Sequence, residues 1–225
     1  MSKFAELIDR WNSPEGHPYK GQLIDWTAYE ADPTNIGCMC AQGQALHILG
    51  GWEPKRIREI AGQAAADAAV AKLLNISRAH AVLLRNVNDN VDGAPAIVLT
   101  DPGKVLGDQW FKLLDFWWHM DQMADADWKS VVAAWVAAGV AARVAAGVAA
   151  RDAAWDAAWD DAWAAASDAA GDAAGDAAGE IQGAAIFKAA NRPFYFLPLF
   201  GFADPEAIPA RPADYGAAPV GGGEG

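Results

Sequence analysis

Six basic side chains near two predicted helix starts are the first candidates for binding chemistry. Pro54 predicts the first turn of one helix, and Ser77 predicts the N-cap of the next. The unpaired N–H groups at a helix start favour anions and disfavour cations, so cations placed there indicate an anionic partner. We therefore expect a site for a small phosphorylated ligand, formed by Lys55, Arg56, Arg58, Arg78, His80 and Arg85.

An aromatic ring beside this basic cluster could stack on the base of such a ligand, and Trp26 and Trp52 are the candidates. The alternative is an ordinary solvated helix surface, because Glu53 and Glu59 offset the charge of the cluster. Both interpretations are compatible with the sequence.

The cysteines and histidines are the other groups that could do chemistry, as zinc ligands or as a nucleophile and its base. Cys38 and Cys40 would point about 200° apart on a helix, and no second cysteine pair follows them. No local pattern marks an activated thiol with His47, His80 or His119 as its base. We predict buried thiols, no metal, no cofactor and no catalytic residue.

A four-residue repeat dominates the second half of the chain. From Trp135 to Gly179 most tetrads contain one variable residue, then Val or Asp, then two small residues. A step of four residues in an α-helix advances about 400°, so equivalent positions drift by about 40° per repeat and no single face persists. The pattern predicts Ala-rich helices that pack as a hairpin or bundle.

Aromatic residues in and after the repeat are candidates for an interface. Three tryptophans recur within three helical turns, and an aromatic run interrupted by proline follows at 192–202. We expect self-association or contact with a partner protein through Trp155, Trp159, Trp163, Phe194, Phe196 and Phe200. For the tryptophans, a hydrophobic core and a ligand-stacking ladder are the alternatives.

Helical periodicity extends over most of the first 123 residues. A short strand or a buried connector is predicted at 94–99. The predicted helices run from Ser2 to Trp11 and over 37–49, 54–75, 78–87 and 102–117.

The sequence thus predicts an all-α protein with four parts. They are a compact helical domain at 1–123, Ala-rich repeat helices at 124–190, an extended aromatic docking segment at 191–204 and a mobile tail at 205–225.

Composition and charge exclude several classes of function. The chain has 225 residues, 53% of them hydrophobic, so it can bury a core. Its net charge of −12 argues against direct binding to a nucleic-acid backbone, which requires clustered Lys and Arg. The apolar stretch 130–150 carries Arg143 near its middle, which disfavours insertion into a membrane. With two cysteines and no apolar signal core, we expect a cytoplasmic protein.

Two stretches of the sequence resemble phage proteins. The DAAW and DAAG tetrads at 152–179 resemble those of uncharacterised alanine-rich proteins from bacteriophages of high-GC actinobacteria and from their hosts. CAQGQAL at 40–46 and LRNVND at 84–89 are similar to a Cys-x-x-Gly…Asn-Asp pattern in small phage proteins of unknown role. The repeat similarity covers about a fifth of the chain. The resemblance implies a phage or prophage accessory protein in the host cytoplasm, with no catalytic residue.

We therefore expect a non-catalytic accessory protein that forms a homo-oligomer or binds a host protein, without a membrane partner. The alternative is a counter-defence protein that sequesters a small phosphorylated ligand, such as a host defence nucleotide, on the basic cluster. Two further hypotheses are an acidic mimic of nucleic acid, formed by the carboxylates from Asp152 to Glu180, and an enzyme without a local motif.

Overall fold

The computed structural model describes residues 2–13, 16–91, 95–134, 137 and 197–216. These residues form helices and loops without a β-strand, and their only β-type pairing is an isolated antiparallel bridge between Ile24 and Met39. The predicted all-α fold is therefore confirmed for the part of the chain that the structure describes. Residues 138–196, which hold most of the predicted Ala-rich helices, and residues 217–225 lie outside it.

The described α-helices are mostly short. In chain order they are α1 (Lys3–Trp11), α2 (Trp26–Ala31), α3 (Ala41–Gln44), α4 (Pro54–Arg58), α5 (Gln63–Leu74), α6 (Arg78–Asn90), α7 (Pro95–Thr100), α8 (Gly103–Leu106) and α9 (Trp110–Gln122). Residues 125–134 are also helical. A π-helical turn, Ala45–Leu49, continues α3 directly, and 3₁₀ turns cover Ile36–Cys38, Leu197–Phe200 and Pro205–Ala207.

The chain divides into two compact units. The first unit comprises Met1–Trp110 and Pro212–Gly225, and the second comprises Phe111–Arg211. The domain boundaries predicted at residues 123, 190 and 204 stay predictions.

Helix α3 lies at the centre of the first unit, and all four of its residues are buried. It packs against α5 and α6, which also pack against each other. Gly43 permits this packing, because a Cβ atom at this position would lie 2.2 Å from the carbonyl oxygen of Leu23. A larger residue at 43 would therefore push α3 away from the loop that precedes α2.

Two predicted helix starts are confirmed by their caps. The Ser2 hydroxyl accepts a hydrogen bond from the Ala5 N–H at 3.2 Å, and α1 follows. The Ser77 hydroxyl accepts one from the His80 N–H at 3.1 Å, and α6 follows. In both cases a serine satisfies an N–H group that the first helical turn leaves unpaired.

The helix predicted over 54–75 is wrong as a single element. It consists of α4 and α5, which are separated at Gly62, where φ is +90°. Glycine adopts this conformation without the steric penalty that a Cβ atom imposes, so the chain turns there. The helix predicted over 37–49 is likewise divided, because Met39 and Cys40 are extended between the 3₁₀ turn and α3.

Two further expectations for 94–117 differ from the structure. Residues 95–100 are helix α7 rather than a strand or a connector. The helix predicted over 102–117 is split into α8 and α9 by Gly107, where φ is +85°.

The second unit contains most of α9 and the segment 197–211. The Phe200 ring packs edge-on against Phe116, with ring centroids 5.0 Å apart, and against Trp128 at 6.1 Å. The Arg211 guanidinium donates hydrogen bonds to the Asp115 carboxylate and to the Phe111 carbonyl. The Leu197–Phe200 turn lies in the segment that was predicted to be extended.

Candidate functional site

The first unit contains a cleft of about 470 Å³, a volume typical of small-molecule sites. Its walls come from the loop before α2 and the start of α2, from α3 and its N-cap, from α4, its connection to α5 and the start of α5, and from α6. The apolar lining is formed by Leu23, Ile24, Trp26, Ile57, Ile60 and Ala66. The polar lining includes Cys40, Gln42, Arg58, Arg85 and Asp89.

Arg58 is a cation held against an aromatic ring of the cleft. Its guanidinium carbon lies 4.6 Å from the ring centroid of Trp26, and the Tyr29 ring contacts Trp26 edge-on at 5.6 Å. Arg58 is exposed and makes no ion pair with a carboxylate of the described residues. Stacking fixes the plane of the guanidinium but leaves its N–H edge available, so Arg58 can donate to a carboxylate or phosphate.

Arg56 makes a similar stack outside the cleft. Its guanidinium carbon lies 3.7 Å from the ring centroid of Trp52, and neither residue lines the cleft. The two tryptophans that were candidates for stacking on a base thus each have one ring face covered by an arginine of α4. Arg56 and Arg58 are therefore two arginines of the same helix that each stack on a tryptophan, and only Arg58 lines the cleft.

A buried polar network links α3, α5 and α6. The Asp67 carboxylate, whose side chain is 3% exposed, accepts a hydrogen bond from the Gln42 amide nitrogen at 2.7 Å. It also accepts two from the Arg85 guanidinium, at 3.1 and 3.0 Å. This bidentate pairing neutralises the buried carboxylate and fixes Arg85 beside the cleft.

The orientation of the Gln42 amide follows from its partners. The amide nitrogen donates to Asp67 and also to the Ala81 carbonyl, at 3.0 Å. Both partners accept only, so turning the amide over would place its oxygen against two other oxygens. In this orientation the Gln42 amide oxygen is buried and has no hydrogen-bond donor among the described residues.

Asp89 supplies a second acceptor at the cleft. Its Oδ1 accepts hydrogen bonds from the Gly21 N–H and from the Asn88 side-chain amide, each at 2.9 Å. Its Oδ2 has no hydrogen bond to a described residue. The cleft therefore combines the cation of Arg58 with a carboxylate that keeps acceptor capacity.

Cys40 contributes a thiol to the cleft lining, and the burial of this thiol disfavours its nucleophilic form. Burial raises the pKa of the Cys40 thiol from its ordinary value of 9.0 to about 11. At neutral pH the thiol is protonated, and the thiolate is the nucleophilic form. Its sulfur accepts a hydrogen bond from the Gly43 N–H and caps α3, so Cys40 has a structural role.

The structure places two of the six predicted anion-binding residues, Arg58 and Arg85, in the cleft lining. Lys55 and Arg56 are exposed on α4 and do not line it. Helix α4 has only five residues, so its dipole is too weak for the anion binding that was predicted at its start. Arg78 begins α6 and does not line the cleft either.

His80 is buried and both of its ring nitrogens have partners within the first unit. Nε2 lies 2.7 Å from the Val98 carbonyl, which only accepts, so Nε2 carries the proton. Nδ1 is hydrogen-bonded to the Tyr215 hydroxyl, with the two atoms 2.8 Å apart. These contacts hold the segment after residue 211 against α6.

The predicted interface residues fall mostly beyond the described part of the chain. Phe200 is described and packs within the second unit. Self-association through these residues stays a prediction, since the structure does not describe Trp155, Trp159, Trp163, Phe194 and Phe196.

Within the described ranges, no group of three or more His, Cys, Asp or Glu residues is arranged to hold a metal ion. No helix in the same ranges has the length and apolar character that are needed to cross a membrane.

Sequence reasoning missed three polar residues of this site, Gln42, Asp67 and Asp89. For Gln42, the sequence did contain a signal: a glutamine on a helix of otherwise small, buried residues. In comparisons with known proteins, no family model matches the chain, and no curated protein or solved structure is significantly similar to it.

Proposed function

We propose that the first unit binds a small phosphorylated ligand in its cleft and does not transform it. The observation that carries this proposal is Arg58, an exposed cation without a carboxylate partner in the described residues, held on Trp26 in the cleft lining. A guanidinium whose plane is already fixed loses less side-chain entropy when it binds than a mobile one does.

The anionic character of the ligand follows from the charges at the cleft. Arg85 is already paired with Asp67, so its positive charge is largely neutralised within the protein. Arg58 has no such pairing, and phosphate suits the fork of a guanidinium through two parallel hydrogen bonds. The apolar lining, with Trp26, Ile57 and Ile60, provides a surface for the remainder of the ligand.

Binding without catalysis is supported by the state of the thiol. Cys40 is buried, caps a helix and keeps its proton at neutral pH, because burial raises the pKa of the thiol to about 11. The proposal corresponds to the ligand-sequestering alternative of the sequence analysis, in which a host nucleotide is the ligand.

The matched arginines of α4 provide the test. Arg58→Gln and Arg56→Gln each remove one positive charge from the same helix, but only Arg58 lines the cleft. In calorimetric titrations with AMP, we expect Arg58→Gln to weaken binding by about ten-fold or more, the size of a charge-assisted hydrogen bond. Arg56→Gln should change the affinity by less than about two-fold. Equal losses in both variants, or no binding by the wild type, would refute the proposal.

A further inference from the structure

We infer that residues 214–216 form a strap that positions two helical walls of the cleft, so that Tyr215 is a positioning residue for a cleft that it does not line. Helices α5 and α6 both supply lining residues, and only Asn75, Ile76 and Ser77 connect them. The strap docks on this connection. Its effect on ligand affinity rests on the proposed function, whereas its effect on the shape of the empty cleft does not.

Main-chain groups of the strap attach it to Asn75, the C-cap of α5. The Asn75 side-chain amide donates a hydrogen bond to the Asp214 carbonyl, and the Gly216 N–H donates one to the Asn75 carbonyl, each at 2.9 Å. Asn75 has left-handed backbone angles, with φ at 52°, and the chain changes direction there. The strap therefore holds the residue at which α5 ends and the turn towards α6 begins.

The Tyr215 side chain attaches the strap to the start of α6. Its hydroxyl accepts a hydrogen bond from the Ser77 N–H at 3.3 Å and lies 2.8 Å from Nδ1 of His80. The rings of Tyr215 and His80 are stacked, with centroids 5.8 Å apart and planes inclined by 16°. Tyr215 thus fixes both the N-cap and the first turn of α6, although it lies 135 residues from His80 in the sequence.

The cleft lies at the other ends of the two helices, so small rotations at the strap are amplified there. Ala66 near the start of α5 lines the cleft, as do Arg85 and Asp89 towards the end of α6. Asp89 is about 18 Å from Ser77 along α6, so a rotation of about 5° at Ser77 moves Asp89 by about 1.5 Å. Such a shift would break the hydrogen bond of 2.9 Å between the Gly21 N–H and Asp89.

Hydrogen bonds fix the angle between α5 and α6 more narrowly than apolar packing does. Among proteins, the crossing angles of packed helices scatter by about 15–20° around their preferred values. The bidentate pairing of Arg85 with Asp67 joins the two helices near the cleft, at 3.1 and 3.0 Å. The strap fixes them at the opposite end, so this pairing reports on whether the strap sets the angle.

The first test uses the full chain without ligand and compares Tyr215→Ala with Asp214→Ala. The Asp214 side chain is exposed and has no hydrogen bond or ion pair with a described residue, so its removal leaves the strap attached. In ¹H–¹⁵N spectra, we expect Tyr215→Ala to shift the Arg85 Nε–H and Gly21 N–H signals. It should also speed hydrogen exchange at the Ser77 N–H by about five-fold or more. Asp214→Ala should do neither.

The second test measures AMP binding by calorimetry with the same chains. Tyr215→Ala should weaken binding by about five-fold or more through the displaced helix walls, and Asp214→Ala should change the affinity by less than about two-fold. Tyr215→Phe keeps the ring on His80 but lacks the hydroxyl, so its affinity should lie between those of the wild type and Tyr215→Ala.

The two tests separate failure of the strap from failure of the proposed function. Faster exchange at Ser77 in Tyr215→Ala, with unchanged Arg85 and Gly21 signals and unchanged AMP affinity, would overturn the inference and leave the proposed function standing. Shifted Arg85 and Gly21 signals, without AMP binding by the wild type, would refute the proposed function and support the positioning role of the strap. If Tyr215→Ala does not fold, as judged by circular dichroism, Tyr215→Phe decides by the same criteria.

Discussion

Helix α3 buries two glutamines that behave differently. Gln44 accepts a hydrogen bond from the Trp11 indole at 3.1 Å and donates one to the Met39 carbonyl at 3.1 Å, so both ends of its amide are paired. Gln42 uses only its nitrogen, and its oxygen has no donor among the described residues. Gln44 does not line the cleft, whereas Gln42 does.

One buried amide is therefore fully paired within the fold, whereas the other keeps an oxygen without a donor among the described residues. A buried amide that only stabilises the fold has each polar atom paired, because an unpaired atom is unfavourable. Incomplete pairing at Gln42 occurs beside a cleft that also exposes Arg58 and Asp89. The same comparison predicts how substitutions on the two sides of α3 should differ.

The largest effect is expected at Asp67, the centre of the network on the cleft side. Asp67→Ala leaves the Arg85 guanidinium and the Gln42 amide nitrogen without their acceptor. Breaking a buried charge pair in this way should lower the free energy of unfolding by about 3–5 kcal/mol, measured by urea denaturation. A loss below about 1 kcal/mol would show that the network does not contribute to stability.

Substituting each glutamine by leucine tests whether the two amides contribute differently to the free energy of unfolding. Gln44→Leu leaves the buried Trp11 N–H without an acceptor and should cost about 1–3 kcal/mol in the same assay. Gln42→Leu should cost less, because Asp67 keeps both hydrogen bonds from Arg85 and an unpaired oxygen is removed. A greater loss of stability for Gln42→Leu than for Gln44→Leu would contradict the proposed difference between the two amides.

Part of the site could be predicted from the sequence. Arg58 and Arg85 were predicted from the basic residues near two helix starts, and the caps at Ser2 and Ser77 follow from local rules. The connection between Gln42 and Asp67 spans 25 residues and arises only when α3 packs on α5. No local pattern encodes such a pairing.

The helix breaks were missed for a different reason. An isolated glycine inside a helical pattern costs about 1 kcal/mol and is often tolerated, so neither Gly62 nor Gly107 marks a break by itself. Their positive φ angles appear only in the folded chain, where tertiary packing determines the direction in which the next helix continues. The break at Gly62 shapes the cleft, because Ile60 and Gly62 line it.

The last effect concerns the dependence of stability on pH and the thiol of the cleft. Burial raises the pKa of Cys40 from 9.0 to about 11, so the unfolded chain releases this proton at lower pH than the folded protein does. The associated stability is complete below pH 9.0 and is lost as the pH rises towards about 11.

The Cys40→Ser variant keeps a side chain that can accept from the Gly43 N–H but does not titrate in this range. Denaturation curves of the wild type and of Cys40→Ser, measured across this pH window, should diverge as the pH rises, with the wild type losing more stability. Parallel curves would show that the thiol is not buried as described.

The most direct test of the account is the location of bound nucleotide. Gly21 and Gly62 line the cleft, and the Gly21 N–H donates to Asp89, whereas Gly107 of the same unit lies outside it. In ¹H–¹⁵N correlation spectra of the full chain titrated with AMP, we predict saturable shifts of the Gly21 and Gly62 amide signals while Gly107 stays in place. Saturable shifts that spare Gly21 and Gly62, or no shifts at all, would contradict the assignment of the cleft as the binding site.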